Sequence, residues 1–254
     1  MFGHVAVFRD PLRGVARPAH IAMILPSTKE KMHPRNRFRG GYDFATLVAM
    51  SPKLGASVRA NPHGDTSIDY ADPTAVKALN QALLRQAYGI ATWDIPPGAL
   101  CPPIPGRSDY LHHLADLLAR GRDAIPCGPG VRVLDVGVGA SCVYPLVGAS
   151  EYGWSFVGSE IDPRALAWAH RLADANRKGE STMECRLQED RSRCFRGVIR
   201  PGEFYDASMC NPPFHASAAD AASGTDRKRR NLGHSKSSAP TRNFGGQGGE
   251  LWCP

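Results

Sequence analysis

The sequence lacks the cysteine spacings that metal sites and redox motifs use. Its seven cysteines form no Cys-x-x-Cys pair, and none stands at zinc-ligand spacing from a histidine. We therefore expect reduced thiols, no metal site and a cytoplasmic protein. The cysteines are Cys101, Cys127, Cys142, Cys185, Cys194, Cys210 and Cys253.

Long apolar runs are also missing. No stretch approaches the length of a membrane span, and the early run Ile21 to Leu25 is too short for the core of a signal peptide. A membrane partner is therefore not expected. The 42% hydrophobic content of the 254 residues is enough for one large domain, or for a core with a smaller appendage.

Acidic residues are fewer than basic ones. Asp plus Glu total 24 against 31 for Lys plus Arg, and the net charge of +7 favours a polyanionic partner. One basic cluster lies in the segment 33–43, where arginines are mixed with aromatic residues and glycines. Arginine binds phosphate with two parallel hydrogen bonds and stacks on bases, so this mixture predicts RNA contact, with a solvated charged turn as the alternative. The residues concerned are Arg35, Arg37 and Arg39.

A second basic cluster lies towards the C-terminal end. It is followed by a glycine-rich stretch, and such a loop can hold a phosphate backbone while the target base enters a pocket. A disordered, solvated loop is the alternative. The residues concerned are Arg227, Lys228, Arg229 and Arg230.

We expect three regions along the chain. Residues 1–30 show no sustained periodicity and predict a disordered leader, a transit peptide or a start at a later methionine. Residues 31–130 predict a mostly helical, basic RNA-binding region. A break rich in Pro and Gly near residue 130 then separates it from an α/β core over 131–254.

Two helices are predicted in the N-terminal region. Asp72 followed by proline predicts a helix that runs to Tyr88, and Ser108 predicts the N-cap of a helix over residues 109–119. His112 and His113 on the second helix are interpreted as packing or surface residues, because no metal-ligand spacing surrounds them.

The core begins with a predicted strand over residues 131–136. Gly137 and Gly139 follow in a turn that lets the backbone approach a ligand closely. The turn fails the dinucleotide fingerprint, because Cys142 stands where the third glycine or alanine belongs. An NAD-linked dehydrogenase is therefore disfavoured.

Acidic and amide groups follow the next two predicted strands. The strand 154–159 ends in Glu160, about 20 residues after the glycines, where an acidic group can hold the hydroxyls of a ribose. The strand 182–187 precedes Gln188, our candidate for contact with a cofactor adenine. The succession of strands, helices and turns predicts the front half of a doubly wound α/β core.

A fourth apolar run over residues 204–210 ends at Asn211-Pro212-Pro213-Phe214. Two prolines stop the strand, which leaves an amide, a carbonyl and an aromatic ring on a stiff turn. The Asn211 oxygen and the Pro212 carbonyl can accept hydrogen bonds from an exocyclic amine, and Phe214 can stack on a base. This is similar to the Asp/Asn-Pro-Pro-aromatic motif of methyltransferases that modify amino groups of adenine, cytosine or glutamine.

Several segments together resemble a more specific group, the RlmF family of bacterial enzymes that methylate N6 of one adenine in 23S ribosomal RNA. A more distant resemblance is to the eukaryotic methyltransferase of U6 small nuclear RNA. The segments are His33-Pro34-Arg35-Asn36, Asp94-Ile95-Pro96, Pro103-Ile104-Pro105-Gly106-Arg107, Leu134 to Ala140, Tyr144-Pro145-Leu146, Asn211-Pro212-Pro213-Phe214, Arg227 to Gly233 and Asn243-Phe244-Gly245-Gly246.

The resemblance implies a class I, Rossmann-like fold with S-adenosylmethionine (SAM) as methyl donor. It implies that Arg107 reaches the carboxylate of SAM, that Glu160 holds its ribose, and that Asn211, Pro212, Pro213 and Phe214 form the catalytic turn. Since the family has seven strands, we expect the C-terminal strands to be missing here. The implied cofactor residues are Arg107, Asp135, Gly137, Gly139, Glu160, Gln188 and Asn211.

Alternatives remain open. The chain could be an inactive homologue that only binds RNA, or it could methylate another RNA, DNA or a protein glutamine; the basic clusters favour RNA. The expected partner is 23S ribosomal RNA or an assembling large subunit, and we expect a monomer.

Overall fold

The computed structural model describes residues 4–6, 32–61, 63–177 and 179–213. The helices are α1 Phe44–Met50, α2 Pro52–Gly55, α3 Pro73–Tyr88, α4 Ile104–Leu118, α5 Val143–Tyr152 and α6 Pro163–Ala175. The strands are β1 His4–Ala6, β2 Val58–Ala60, β3 Thr66–Ile68, β4 Arg132–Val136, β5 Ser155–Glu160, β6 Met183–Leu187 and β7 Ala207–Cys210. No helix within these residues is long and apolar enough to span a membrane.

Five strands form one sheet in the order β1-β7-β4-β5-β6. Strands β7, β4, β5 and β6 are parallel, with α5 crossing from β4 to β5 and α6 from β5 to β6. The predicted α/β fold is confirmed, and the four predicted strands are present, each starting one to three residues later than predicted. Because the four strands are parallel, their carboxyl ends meet at one edge of the sheet.

The edge strand β1 corrects part of the sequence prediction. Residues 4–6 were expected in a disordered leader, but they pair antiparallel with β7, in a register that places His4 opposite Cys210. A three-residue strand is too short to show a periodic pattern in the sequence. It forms here because the outer edge of β7 offers unpaired backbone groups to any segment that reaches it.

The sheet is covered on both faces. Val133 and Phe156 point into a large apolar cluster with the helices, while their neighbours Leu134 and Val157 point to the other face. On that second face the cover is the connection between β6 and β7, through the fully buried Val198.

The N-terminal helices share the core of the sheet. The large cluster includes Leu47 of α1, Leu83 of α3 and Leu111 of α4 together with Val133 of β4. The predicted division near residue 130 therefore has no matching break in the apolar core of the described residues.

Helix α3 has the predicted bounds. The Asp72 side chain accepts a hydrogen bond from the Thr74 N–H at 2.8 Å, and Gly89 ends the helix with a left-handed φ of 61°.

Helix α4 starts earlier than predicted, at Ile104, with Pro105 in its first turn, where a missing N–H costs nothing. Ser108 is therefore not a cap. It lies buried inside the helix, where its hydroxyl pairs with Tyr88 at 2.6 Å.

Candidate active site

Three predicted site elements meet at the carboxyl edge of the sheet. The parallel register places Val136 beside Cys210 on one side and beside Ser159 on the other. The glycine turn after β4, Glu160 at the end of β5 and Asn211 after β7 are therefore neighbours. Parallel sheets of this kind bind ligands in the crevice at this edge.

The glycine turn is attached to the end of β5. The N–H groups of Gly137 and Val138 both donate to the Ser159 carbonyl at 2.9 Å. Gly137 and Gly139 have φ of 79° and 65°, a left-handed conformation that glycine adopts without strain. A Cβ added at either glycine would meet no atom within 4 Å, so open space faces the turn.

Glu160 is held by backbone donors. Its Oε2 accepts from the Gly139 N–H at 2.9 Å, and its Oε1 accepts from Ile161 at 2.8 Å and Asp162 at 3.0 Å. These contacts fix the carboxylate, which still has free lone pairs for further donors such as ribose hydroxyls. The predicted ribose contact is consistent with this geometry and stays a prediction.

Asp135 is a buried acid that has no hydrogen-bond partner among the described residues. Neither of its carboxylate oxygens has a hydrogen bond to the described residues, and the side chain is 0% exposed. The pKa of Asp135 is raised to about 7, chiefly by burial; the charge of Arg107 opposes this shift and that of Glu160 adds to it. An unpaired carboxylate in such a place is costly, and a cationic or hydrogen-bond-donating ligand group would relieve that cost.

Arg107 on α4 reaches across to the end of β7. Its Nη1 donates to the Tyr144 hydroxyl at 2.8 Å and to Oδ1 of Asn211, while its Nε has no partner among the described residues. One turn further along α4, the Tyr110 hydroxyl forms a hydrogen bond with the backbone of Cys210. Helix α4 therefore supports the turn that carries Asn211.

The N-terminal segment in turn holds α4. Asn36 Nδ2 donates to the Pro105 carbonyl and to Asp109 Oδ1, both at 2.9 Å, and the His33 N–H donates to the same Asp109 oxygen at 2.7 Å. These contacts lie on either side of Arg107 in the sequence. Segment 33–36 is thus part of the support of the site.

A second hydrogen-bonded group lies on the same face of α4. His112 is buried and contacts the Tyr152 hydroxyl at 2.6 Å and the Ser108 hydroxyl at 3.3 Å. Burial, assisted by His33 and Arg35, lowers the pKa of His112 to about 4. His112 is therefore a packing residue, one of the two roles that the sequence predicted for it.

The chain matches the model of a protein family described as RNA methyltransferase over residues 26–254. The chain belongs to this RNA methyltransferase family. This match and the curated relatives described next confirm the resemblance seen in the sequence. The glycine turn, the acidic strand end and the Asn-Pro-Pro turn, which lie at one edge of the sheet, are therefore the candidate methyltransferase site.

Curated relatives include ribosomal RNA large subunit methyltransferase F of Ectopseudomonas mendocina, which is 51% identical over 96% of this chain and 74% of that protein. The protein of the same name from Cytophaga hutchinsonii is 52% identical over 90% of this chain and 71% of that protein.

Among solved structures, the hMettl16 catalytic domain in complex with MAT2A 3′UTR hairpin 1 aligns with a TM-score of 0.70 and 31% identity, covering 87% of this chain and 71% of that one. The N-terminal domain of human METTL16 in complex with SAH aligns with a TM-score of 0.65 and 31% identity, and the alignment covers 79% of this chain and 77% of that one.

The three arginines predicted to bind RNA in the methyltransferase's N-terminal region differ in their contacts. Arg35 is used internally, with 2.7 Å to Asp116 and 3.0 Å to the His112 carbonyl. Arg37 forms an ion pair with Glu151 at 2.9 Å and remains half exposed. Arg39 is exposed, so it is the most available of the three for RNA.

Gln188 lies at the predicted strand end but has another set of contacts. Its Nε2 donates to the Arg196 carbonyl and its Oε1 accepts from the Asp190 N–H, both at 3.0 Å. Both ends of the amide therefore hold the connection between β6 and β7. The predicted contact with cofactor adenine stays untested.

Other predicted residues lie outside the described part of the chain: Phe214, Arg227, Lys228, Arg229 and Arg230. Two supports of the methyltransferase site were missed by sequence reasoning, Tyr110 and Asn36. Asn36 lies in the segment His33-Pro34-Arg35-Asn36, which the resemblance had marked, but it was interpreted only as RNA contact.

Proposed function

We propose that this protein transfers a methyl group from SAM to N6 of an adenine in 23S ribosomal RNA. The observation that carries the proposal is the position of Asn211, which follows β7 beside the glycine turn and beside Asp135, whose carboxylate has no hydrogen bond to the described residues. The names of the curated relatives support ribosomal RNA as the substrate class. The RNA hairpin and SAH bound to the human structures support RNA and a SAM-type cofactor.

The residues at the sheet edge fit SAM. Open space at Gly137 and Gly139 admits a ligand against the backbone, and Glu160 has lone pairs for ribose hydroxyls. The unpartnered Asp135 suits an amino group, and Arg107, whose Nε is free of partners in the described residues, suits a carboxylate. When bound, SAM supplies a methyl group on a positively charged sulfur, which is open to attack by a nucleophile.

The Asn-Pro-Pro turn supplies the contacts to the adenine amine. The lone pair of that nitrogen is delocalised into the ring, which makes it a weak nucleophile. Two acceptors, Asn211 Oδ1 and the Pro212 carbonyl, hold the two N–H groups and so favour the geometry in which the lone pair is available. Proline at 212 and 213 keeps the acceptors stiff, and catalysis is then mostly positioning and electrostatics.

The RNA backbone would be bound by basic residues outside the Asn-Pro-Pro turn. We propose Arg37 and Arg39 as phosphate contacts from the N-terminal region and the run 227–230 as contacts from the C-terminal region, with Phe214 stacking on the target base. Because the substrate is ribosomal, the place of action is the cytoplasm. We further propose that the protein acts as a monomer.

The test combines cofactor binding with methyl transfer. Calorimetric titration with SAM is compared between the unmodified chain and Glu160→Ala, and both are assayed on ribosomal RNA from cells that lack the modification. We expect saturable binding that the Glu160→Ala variant loses, and methyl transfer that Asn211→Ala slows strongly while SAM binding remains. If a cooperatively folded protein binds the RNA but not SAM, the enzyme proposal is wrong and an RNA-binding homologue is the better account.

A further inference from the structure

The connection between β6 and β7 carries a basic cluster that is separate from the two found in the sequence analysis. We call residues 191–196, Arg-Ser-Arg-Cys-Phe-Arg, the arginine loop. All six residues are exposed, and none is acidic. The loop begins just after the carboxyl end of β6, at the edge of the sheet that holds the active site.

The arginine loop is held at both ends. Before it, the Gln188 amide bridges the Asp190 N–H and the Arg196 carbonyl. After it, Val198 is fully buried, and its carbonyl accepts from Arg186 Nη1 at 2.7 Å. A loop fixed in this way loses little backbone entropy when a ligand binds, so its side chains are presented from a stable base.

The charges of the loop are only partly compensated. Arg193 pairs with Asp190 at 2.9 Å, and both side chains are about half exposed. The side chains of Arg191 and Arg196 form no hydrogen bond or ion pair with the described part of the chain. Two exposed guanidinium groups beside a third one make a surface that attracts an anion.

The loop lies close to the catalytic turn. Strands β6 and β7 end at the same edge of the sheet, three strand positions apart, which is roughly 14 Å at a strand spacing of about 4.8 Å. Cys210 directly precedes Asn211. An RNA strand that brings a base to Asn211 therefore has sugar-phosphate units within reach of the loop.

We propose that the arginine loop binds phosphate groups of the substrate RNA strand beside the target adenine, through Arg191 and Arg196. The proposal rests on the proposed function and adds a contact surface to it. Arginine is suited to this task because its planar group donates two parallel hydrogen bonds to a phosphate. The stable backbone of the loop gives the contact a defined position relative to Asn211.

The test is the salt dependence of RNA binding. The unmodified chain and the double variant Arg191→Ala/Arg196→Ala are titrated into a fluorescent ribosomal RNA fragment at several salt concentrations. Each phosphate contact contributes about 0.7 to 0.9 to the slope of log K against log salt, so two lost contacts lower the slope by about 1.4 to 1.8. We expect weaker RNA binding with unchanged calorimetric SAM affinity.

A matched control separates a local contact from a general charge effect. Arg120 and Arg122 are exposed in the connection between α4 and the amino end of β4, and Arg120→Ala/Arg122→Ala removes the same charge. The proposal would be overturned if both double variants lowered the slope of log K against log salt equally, or if the loop variant left this slope unchanged. It would also be overturned if the unmodified chain did not bind RNA. Since binding is measured without methyl transfer, an inactive chain that still shows the loop effect would disprove only the enzyme function.

Discussion

Arg107 and Asn211 are 104 residues apart in the sequence, and the guanidinium of the first donates a hydrogen bond to the amide oxygen of the second. The contact joins α4, which belongs to the N-terminal region, to the turn that follows strand β7. The contact also orients the Asn211 amide. Its oxygen faces the arginine, because the NH2 group is a donor and cannot accept a hydrogen bond from the guanidinium. The orientation of the group proposed to hold the adenine amine is therefore set by a residue outside the predicted core.

We expect Arg107→Ala to lower kcat/KM for methyl transfer by about 100-fold, the usual cost of losing one preorganised charged donor. The deficit should persist in kcat at saturating SAM, because Asn211 is then no longer oriented. If Arg107 acts through Asn211, the double variant with Asn211→Ala is hardly slower than Asn211→Ala alone. Arg120→Ala serves as control, and a kcat that recovers fully at saturating SAM would restrict Arg107 to cofactor binding.

Asp135 makes stability depend on pH. Its pKa is raised from 3.8 to about 7 in the folded chain, so the folded state binds more protons than the unfolded state between these values. The contribution of Asp135 to the free energy of unfolding is therefore most favourable at low pH and is lost as the pH rises towards 7. We expect Asp135→Asn to be more stable than the unmodified chain at pH 8, by on the order of 3 kcal/mol without cofactor, with a smaller gain at pH 6.

Thermal unfolding at the two pH values checks this expectation, and SAM titration at pH 8 should show weaker binding by the variant. A stability difference that is the same at pH 6 and pH 8 would contradict the assignment. A variant that keeps full SAM affinity would show that Asp135 does not contact the cofactor.

Gly158 on β5 leaves room for the glycine turn. A Cβ at this position would lie 2.8 Å from Val138 Cβ, a distance at which one of the two must move. We expect Gly158→Ala to destabilise the fold by about 1 to 3 kcal/mol and to weaken SAM binding, because the displaced Val138 lies between the two glycines of the turn. Gly130→Ala, where a Cβ meets no atom within 4 Å, should change neither property.

Asn36 and Arg39 separate two interpretations of the N-terminal segment. Asn36 is 4% exposed and supports the first turn of α4, so Asn36→Ala should lower the free energy of unfolding by about 1 to 3 kcal/mol and reduce kcat. Arg39→Ala should leave stability unchanged and weaken RNA binding slightly. Urea unfolding and RNA titration of both variants measure the two effects. If both substitutions weakened RNA binding equally and neither changed the free energy of unfolding, the segment would contact RNA without supporting α4.

Much of the core could be predicted from local patterns. The four parallel strands, the turn at Gly137 and Gly139, and the stop at Pro212 each depend on residues within a few positions of one another. A backbone that turns at glycine or ends at proline does so largely for local steric reasons. That is why the element order, and with it the edge where Glu160 and Asn211 lie, followed from the sequence.

Other features did not follow from these local patterns. The start of α4 at Ile104, the pairing of residues 4–6 with β7 and the use of the Gln188 amide within a loop were not predicted.

By itself, the sequence determined the strands, the glycine turn and the residue types of the site. Only the tertiary structure decided that Arg107 orients Asn211, that Asn36 supports α4 and that Arg191 and Arg196 face solvent near the site. The physical reason is that a hydrogen bond or a burial depends on which distant groups lie within about 3 Å, and no local pattern contains that information.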